Sequence, residues 1–156
     1  REGRAMVRAP EGARGQGHYV DGPRRSFSGG AGLTSTARDY ARFLEMLRNG
    51  GALGGTRLLG PKTVALMTSN QVGTLLGNGY GFSLGFRTIE QPGANGRVES
   101  VGSFMWGGAY GSEYLVDPRE RLVVVFMTQE LPNRGQVGTR IPMLVYQALV
   151  EPAARP

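Results

Sequence analysis

The sequence contains no cysteine and a single histidine, His18, in 156 residues. Disulfides and thiolate chemistry are therefore excluded, and one imidazole cannot assemble a multi-histidine metal site. No metal or other cofactor is expected, and His18, set in a Gly-rich stretch, reads as solvent-exposed with no structural role. Long apolar runs are also missing: nothing reaches 18 consecutive apolar residues, so no membrane-spanning segment is expected in this stretch, and no signal peptide is visible at its start. Lysine is almost absent, with Lys62 the only one.

What is abundant is arginine and glycine. Lysine and arginine together number 18 against 12 acidic residues, a formal charge of +6. A basic balance points to nucleic acid when the cations form a patch or accompany a binding motif. Here they are scattered from Arg1 to Arg155, only Arg24 and Arg25 are adjacent, and no such motif accompanies them. The expected reading is a solvated arginine-rich surface with no nucleic-acid partner. The 26 glycines are spread through the chain rather than gathered in a low-complexity tract.

Residues 1–28 read as a flexible Gly/Arg-rich leader, 29–151 as the folded region and 152–156 as a tail. The opening Arg1 and the irregular leader suggest a chain cut from something longer. Thr34 to Arg48 has the spacing of an amphipathic helix, with Ala37, Tyr40, Ala41, Leu44 and Leu47 on one face, Thr36 and Asp39 at its start and Asn49-Gly50 as a left-handed stop. Pro61 opens a second helix through about Met67. The period then changes: Tyr80, Phe82, Leu84 and Phe86 alternate with Gly81, Ser83 and Gly85, as in one strand with a nearly bare face that another backbone or a helix approaches closely. After a turn at 92–96 come three further strands, Val98 to Trp106, Ser112 to Val116 and Arg121 to Thr128. Asp117-Pro118-Arg119-Glu120 forms the turn between the last two. A final helix, Arg140 to Val150, should bury Ile141, Leu144, Val145, Ala148 and Leu149. Consecutive strands joined by short turns imply an antiparallel sheet flanked by helices, an α+β class.

Two blocks add a family resemblance. One runs from Gly32-Leu33-Thr34-Ser35-Thr36 through Phe43-Leu44 to Gly50-Gly51, then Arg57-Leu58-Leu59 and Val64-Ala65-Leu66-Met67. The other, more specific, is Trp106-Gly107-Gly108-Ala109-Tyr110-Gly111-Ser112 with Val116-Asp117-Pro118. Together they resemble the carboxyl-terminal half of the serine β-lactamase-like and penicillin-binding-protein-like hydrolases, including the class C β-lactamases and family VIII carboxylesterases. The resemblance implies a partial β-lactamase/transpeptidase-like fold. It also implies a serine of a Ser-x-x-Lys motif that attacks an acyl carbonyl, and a third motif on the strand bordering the active site.

Trp106-Gly107-Gly108 matches that third motif. By the resemblance, Ala109 supplies a backbone N–H to the oxyanion and the three motif residues bind substrate. Read alone, an aromatic followed by Gly-Gly is equally a bulge or a tight bend. Where lactam-processing relatives carry a lysine in the motif, Trp106 offers an apolar plate and one N–H donor, which tilts the expectation toward esters over β-lactams or D-alanyl peptides.

The first motif is missing in every register, because three residues before Lys62 stands Leu59. Tyr110-Gly111-Ser112 looks like the family's tyrosine motif but directly follows the third motif, which places it in a strand connection. Ser28, Ser35, Ser103 and Ser112 lack a local base, and Asp117 reads as a turn residue. The expected function is that of one portion of a serine hydrolase acting on a small ester or amide, inactive without the amino-terminal half of the domain. The competing expectation is a non-catalytic binding module derived from the same fold.

Overall fold

Apolar residues recurring every three to four positions fold as helix α1 (Ala37–Arg48), which encloses Leu44, Met46 and Leu47. The computed structural model describes residues 29–30, 33–130 and 137–150. The expected leader 1–28, with His18 and Ser28, and the tail 152–156 lie outside the described residues. The chain divides into two units, 1–36 and 37–156, and every element below belongs to the second.

The end of α1 follows from its glycines. Gly50 N–H donates to Leu47 O at 3.0 Å and Gly51 N–H to Met46 O at 2.9 Å, with φ of +66° and +95°. These are the paired bonds of a Schellman stop, which glycine adopts without steric cost. The chain then turns through a small hairpin, β1 (Ala52–Leu53) and β2 (Thr56–Arg57), into α2 (Pro61–Thr68), with Pro61 in the first helical turn as expected. The Arg57 guanidinium donates to Gly50 O at 2.8 Å and Leu59 O at 2.9 Å, tying hairpin to helix end.

Five strands follow: β3 (Tyr80–Phe82), β4 (Arg87–Ile89), β5 (Phe104–Gly107), β6 (Glu113–Asp117) and β7 (Leu122–Phe126). They pair antiparallel in chain order. Alternation sorts their side chains to two faces. Phe104, Val116, Val123 and Val125 meet α1 and α2 on one; Met105, Leu115, Val124 and Ile89 meet Tyr146 of α3 (Val137–Gln147) on the other. The expected α+β class with an antiparallel sheet between helices is what is found.

Three expected elements differ. The single strand over 80–86 is a hairpin: Gly85 takes φ +103°, Ser83 N–H donates to Phe86 O at 2.7 Å, and Leu84 stands 56 % exposed at the tip. Alternation continued across a turn because the turn preserved the spacing, and β4 went unseen as a result. The strand expected from Val98 begins only at Phe104, because Glu99 turns inward to pair with Arg97 and Gly102 adopts φ +90°. Finally, α3 spans Val137–Gln147 instead of Arg140 to Val150, and Leu144, Ala148 and Leu149 are exposed rather than buried. Its inward face carries Gly138, Ile141, Pro142 and Tyr146, rotated from the expected one because Gly138 receives the Glu113 side chain and Tyr146 reaches Asp117.

Candidate active-site strand

Strand β5 is paired unequally on its two sides. Its partner β6 follows it from Phe104 to Gly107, but β4 pairs only with Phe104 and Met105. From Trp106 onward, β5 is thus an edge on its β4 side among the described residues, and such an edge can receive an extended ligand through main-chain hydrogen bonds. The sheet narrows here because the β3–β4 hairpin turns back at Ser83–Phe86, before reaching the level of Trp106.

Beyond β5 the chain closes tightly. Gly108 N–H donates to Ser112 O at 2.8 Å and Gly111 N–H to Gly108 O at 2.9 Å, so Ala109, Tyr110 and Gly111 form the loop of the β5–β6 hairpin. Gly111, at φ +86°, supplies the left-handed residue that three-residue loops favour. The tight bend that an aromatic-Gly-Gly sequence suggests is therefore present, beginning one residue beyond Gly107. Ala109 is exposed at the bend, and among the described residues its N–H meets no acceptor.

The two motif glycines have different surroundings. A Cβ on Gly107 would lie 3.2 Å from Glu113 Cγ and 3.3 Å from Ser112 O, so Glu113, its cross-strand partner, fills the space beside it. The same Glu113 side chain occupies the place of a Cβ on Gly138, where Cδ would be 2.6 Å away. Around Gly108 the nearest atom to an added Cβ is Ser112 O at 3.9 Å, leaving that position open. The motif's first glycine thus accommodates the protein's own packing, and only the second leaves free space.

Trp106 is 45 % exposed and meets Phe82 edge-to-face, with centroids 4.9 Å apart and planes at 81°. Its cross-strand neighbour Tyr114 is packed against Tyr40 and Phe86. Burial, reinforced by the Tyr40 hydroxyl, holds the Tyr114 phenol well above its ordinary range, so it stays protonated and acts as packing.

Of the serines considered from sequence, Ser35 is exposed and donates only to the neighbouring Thr36 O at 3.4 Å. Ser112 Oγ donates to Thr128 O at 2.9 Å and accepts from Thr128 N–H at 3.1 Å, while Ser103 is wholly buried. Asp117 is a turn residue as expected, and also an anchor. One carboxylate oxygen accepts from the N–H groups of Arg119 and Glu120, each at 3.0 Å; the other accepts from Ser100 N–H at 3.1 Å and from the Tyr146 hydroxyl. Burial pushes this carboxyl up, but the Tyr146 hydroxyl and the Glu120 and Ser100 N–H bonds outweigh it and hold it below the usual carboxylate range.

A cavity of about 200 Å³ opens between the sheet and α3, walled by Arg87, Arg97, Glu113, Gly107, Ile141 and Pro142. No cluster of three His, Cys, Asp or Glu that could hold a metal occurs among the described residues, and none of their helices is long and apolar enough to cross a membrane. Two residues that shape the motif, Glu113 and Phe82, were not singled out from sequence. Glu113 could have been found by counting, since a three-residue loop after Gly108 sets it opposite Gly107.

Comparison with known proteins bears on the family and the fold. The family described as Beta-lactamase matches residues 1–146. Protein Rv1367c of Mycobacterium tuberculosis (H37Rv) is 33 % identical, the match covering 74 % of this chain and 33 % of that protein. Esterase EstB of Burkholderia gladioli is 35 % identical over 76 % of this chain and 29 % of its own length. Among solved structures, EstCE1, described as a hydrolase with promiscuous acyltransferase activity, superposes with a TM-score of 0.61 at 31 % identity, covering 72 % of this chain and 30 % of that one. The chain spans about a third of the length of the curated relatives it matches. A motif strand with an open edge, on an antiparallel sheet between helices, and these matches lead to one conclusion: the chain belongs to the β-lactamase family, within the serine β-lactamase-like superfamily that includes the family VIII esterases.

Proposed function

We propose that this chain forms the oxyanion-binding wall of a serine hydrolase that cleaves small esters through an acyl-enzyme, and that a Ser-x-x-Lys nucleophile outside these 156 residues completes the site. The observation that carries the reading is the β5 edge at Trp106–Gly108, open among the described residues and ending in the Ala109 N–H, which meets no acceptor among them. In the reaction, the serine oxygen bonds to the ester carbonyl carbon and its proton passes to the departing alkoxide, which leaves as the alcohol. Water then attacks the acyl-enzyme carbon, releasing the acid and restoring the serine. In both halves negative charge gathers on the carbonyl oxygen, and a preset N–H at that point stabilises it by about 3 kcal/mol.

Esters are favoured over β-lactams and D-alanyl peptides because Trp106 presents no cation to a substrate carboxylate, and the EstB and EstCE1 names support that choice. The missing Ser-x-x-Lys favours a second reading, a non-catalytic binding module built on the same fold. The two separate in one experiment on the complete protein. Ala109 is the first central residue of a turn, a position that accepts proline, so Ala109→Pro removes the N–H with the bend retained. Under the hydrolase reading kcat/KM for p-nitrophenyl acetate falls by about 100-fold in Ala109→Pro and by less than about tenfold in Ala109→Gly, which keeps the donor. Equal losses in both variants, or no ester turnover by the wild type, would favour the binding module.

A further inference from the structure

We propose that Phe82 is a specificity-determining positioning residue, which fixes the Trp106 indole against its own ring so that the two form one apolar ledge beside the open β5 edge, selecting esters with an extended alkyl or aryl acyl group. This rests on the ester-hydrolase reading of the β5 edge. Trp106 is the last residue before the two motif glycines, and nearly half of its surface is open. A half-exposed indole on an edge strand would sample several rotamers unless another group limits it. Phe82 supplies that limit: its ring stands at 81° to the indole, 4.9 Å between centroids, within the separations that aromatic pairs favour.

Phe82 is itself held at both backbone groups. Its N–H donates to Asn70 Oδ1 at 3.3 Å, and its carbonyl accepts from Gln71 N–H at 2.8 Å. Asn70 is kept in place by donating to Gly73 O at 2.8 Å and accepting from Val72 N–H at 3.0 Å. The approach of Asn70 is possible only because residue 81 is glycine; a Cβ there would fall 2.3 Å from Asn70 Cγ. A chain of fixed contacts therefore runs from the 70–73 loop through Phe82 to Trp106.

The sequence order explains why two aromatics meet here. The hairpin turn at Ser83–Phe86 returns the chain as β4, which leaves β5 unpaired from Trp106 onward. Phe82, opposite Arg87 at the end of the β3–β4 ladder, contacts Trp106 beside this unpaired stretch. An acyl chain entering along the open edge would lie against the joined surface of the two rings. A short acetyl group would use little of that surface; a hexanoyl or phenylacetyl group would use much more.

The test uses the complete protein carrying Phe82→Ala, Phe82→Leu or Phe82→Tyr, assayed on p-nitrophenyl acetate, hexanoate and phenylacetate. Phe82→Ala is expected to lower kcat/KM about tenfold for the two larger esters, chiefly through KM, and about twofold for acetate, with Phe82→Tyr restoring most of the loss. The resonance of 5-fluorotryptophan at position 106, assigned with Trp106→Phe, should sharpen and shift when phenylacetate product is added to wild type and respond little in Phe82→Ala. Phe82→Leu gives the same ordering of esters if the alanine variant folds poorly. Equal losses on all three esters, or an unaltered fluorine response in the variants, would overturn the proposal with the hydrolase reading left standing. A wild-type protein inert on every ester would remove that reading and this proposal together.

Discussion

A methyl group on Gly107 would press on Glu113 and Ser112, whereas one on Gly108 would meet only Ser112 O at van der Waals distance. Adjacent glycines of one motif thus answer to different constraints, the first to the fold and the second to whatever lies outside it. Gly107→Ala is expected to lower stability by roughly 1–2 kcal/mol, the cost of overfilling a packed position. Gly108→Ala should leave the unfolding midpoint nearly unchanged and yet reduce ester turnover. Denaturant melts and kinetics on the same pair of variants decide this, and stability losses of equal size would contradict the assignment. Sequence identified both glycines but gave them one shared role, because the side chain that separates them belongs to Glu113, six residues further along. The resemblance picked out Ala109 for the same kind of reason: a backbone donor depends on the bend that the motif forms and hardly on the side chain at that position.

At the scale of elements, the carboxylate of Asp117 fastens the β6–β7 turn to the Ser100 loop and to α3 through Tyr146. Its pKa is depressed in the folded protein, so the stabilisation is complete above the unfolded carboxylate value near pH 4 and is lost as pH falls through the lower folded value. Wild-type stability should therefore drop between about pH 5 and pH 2, and Asp117→Asn should flatten that part of the profile and destabilise the protein at neutral pH by about 2 kcal/mol. Thermal melts across pH 2–7 check both, and parallel profiles would show that the clamp carries no such weight. The turn itself was legible, since Asp-Pro between two apolar runs has few alternatives. The reach of Tyr146 was not, because no local pattern shows which face of α3 a distant carboxylate will claim. The same limit explains the β3–β4 hairpin: Leu84 and Phe86 continue an alternation that a glycine-containing turn leaves intact, and only Gly85 hinted at the break.

At the scale of the molecule, β7 is a run of five apolar residues, Leu122 to Phe126, with a strand neighbour on one side only among the described residues. Runs of this kind suit a strand covered on both faces, as β7 is by α1 and by Tyr146 of α3, while its outer edge stays unpaired. Leu144, Met143 and Val137 of α3 are exposed as well. Both features agree with a chain that spans about a third of its curated relatives. The measurement that bears most directly on this account is a crystal structure of the complete protein after inactivation by a p-nitrophenyl alkylphosphonate, which leaves a tetrahedral phosphonyl group on the reactive serine. The account places one phosphonyl oxygen about 2.7–3.1 Å from the Ala109 nitrogen, with the alkyl group along the Trp106 side of β5. A phosphonyl oxygen turned away from Ala109, or an adduct formed on a serine remote from the β5 edge, would contradict it.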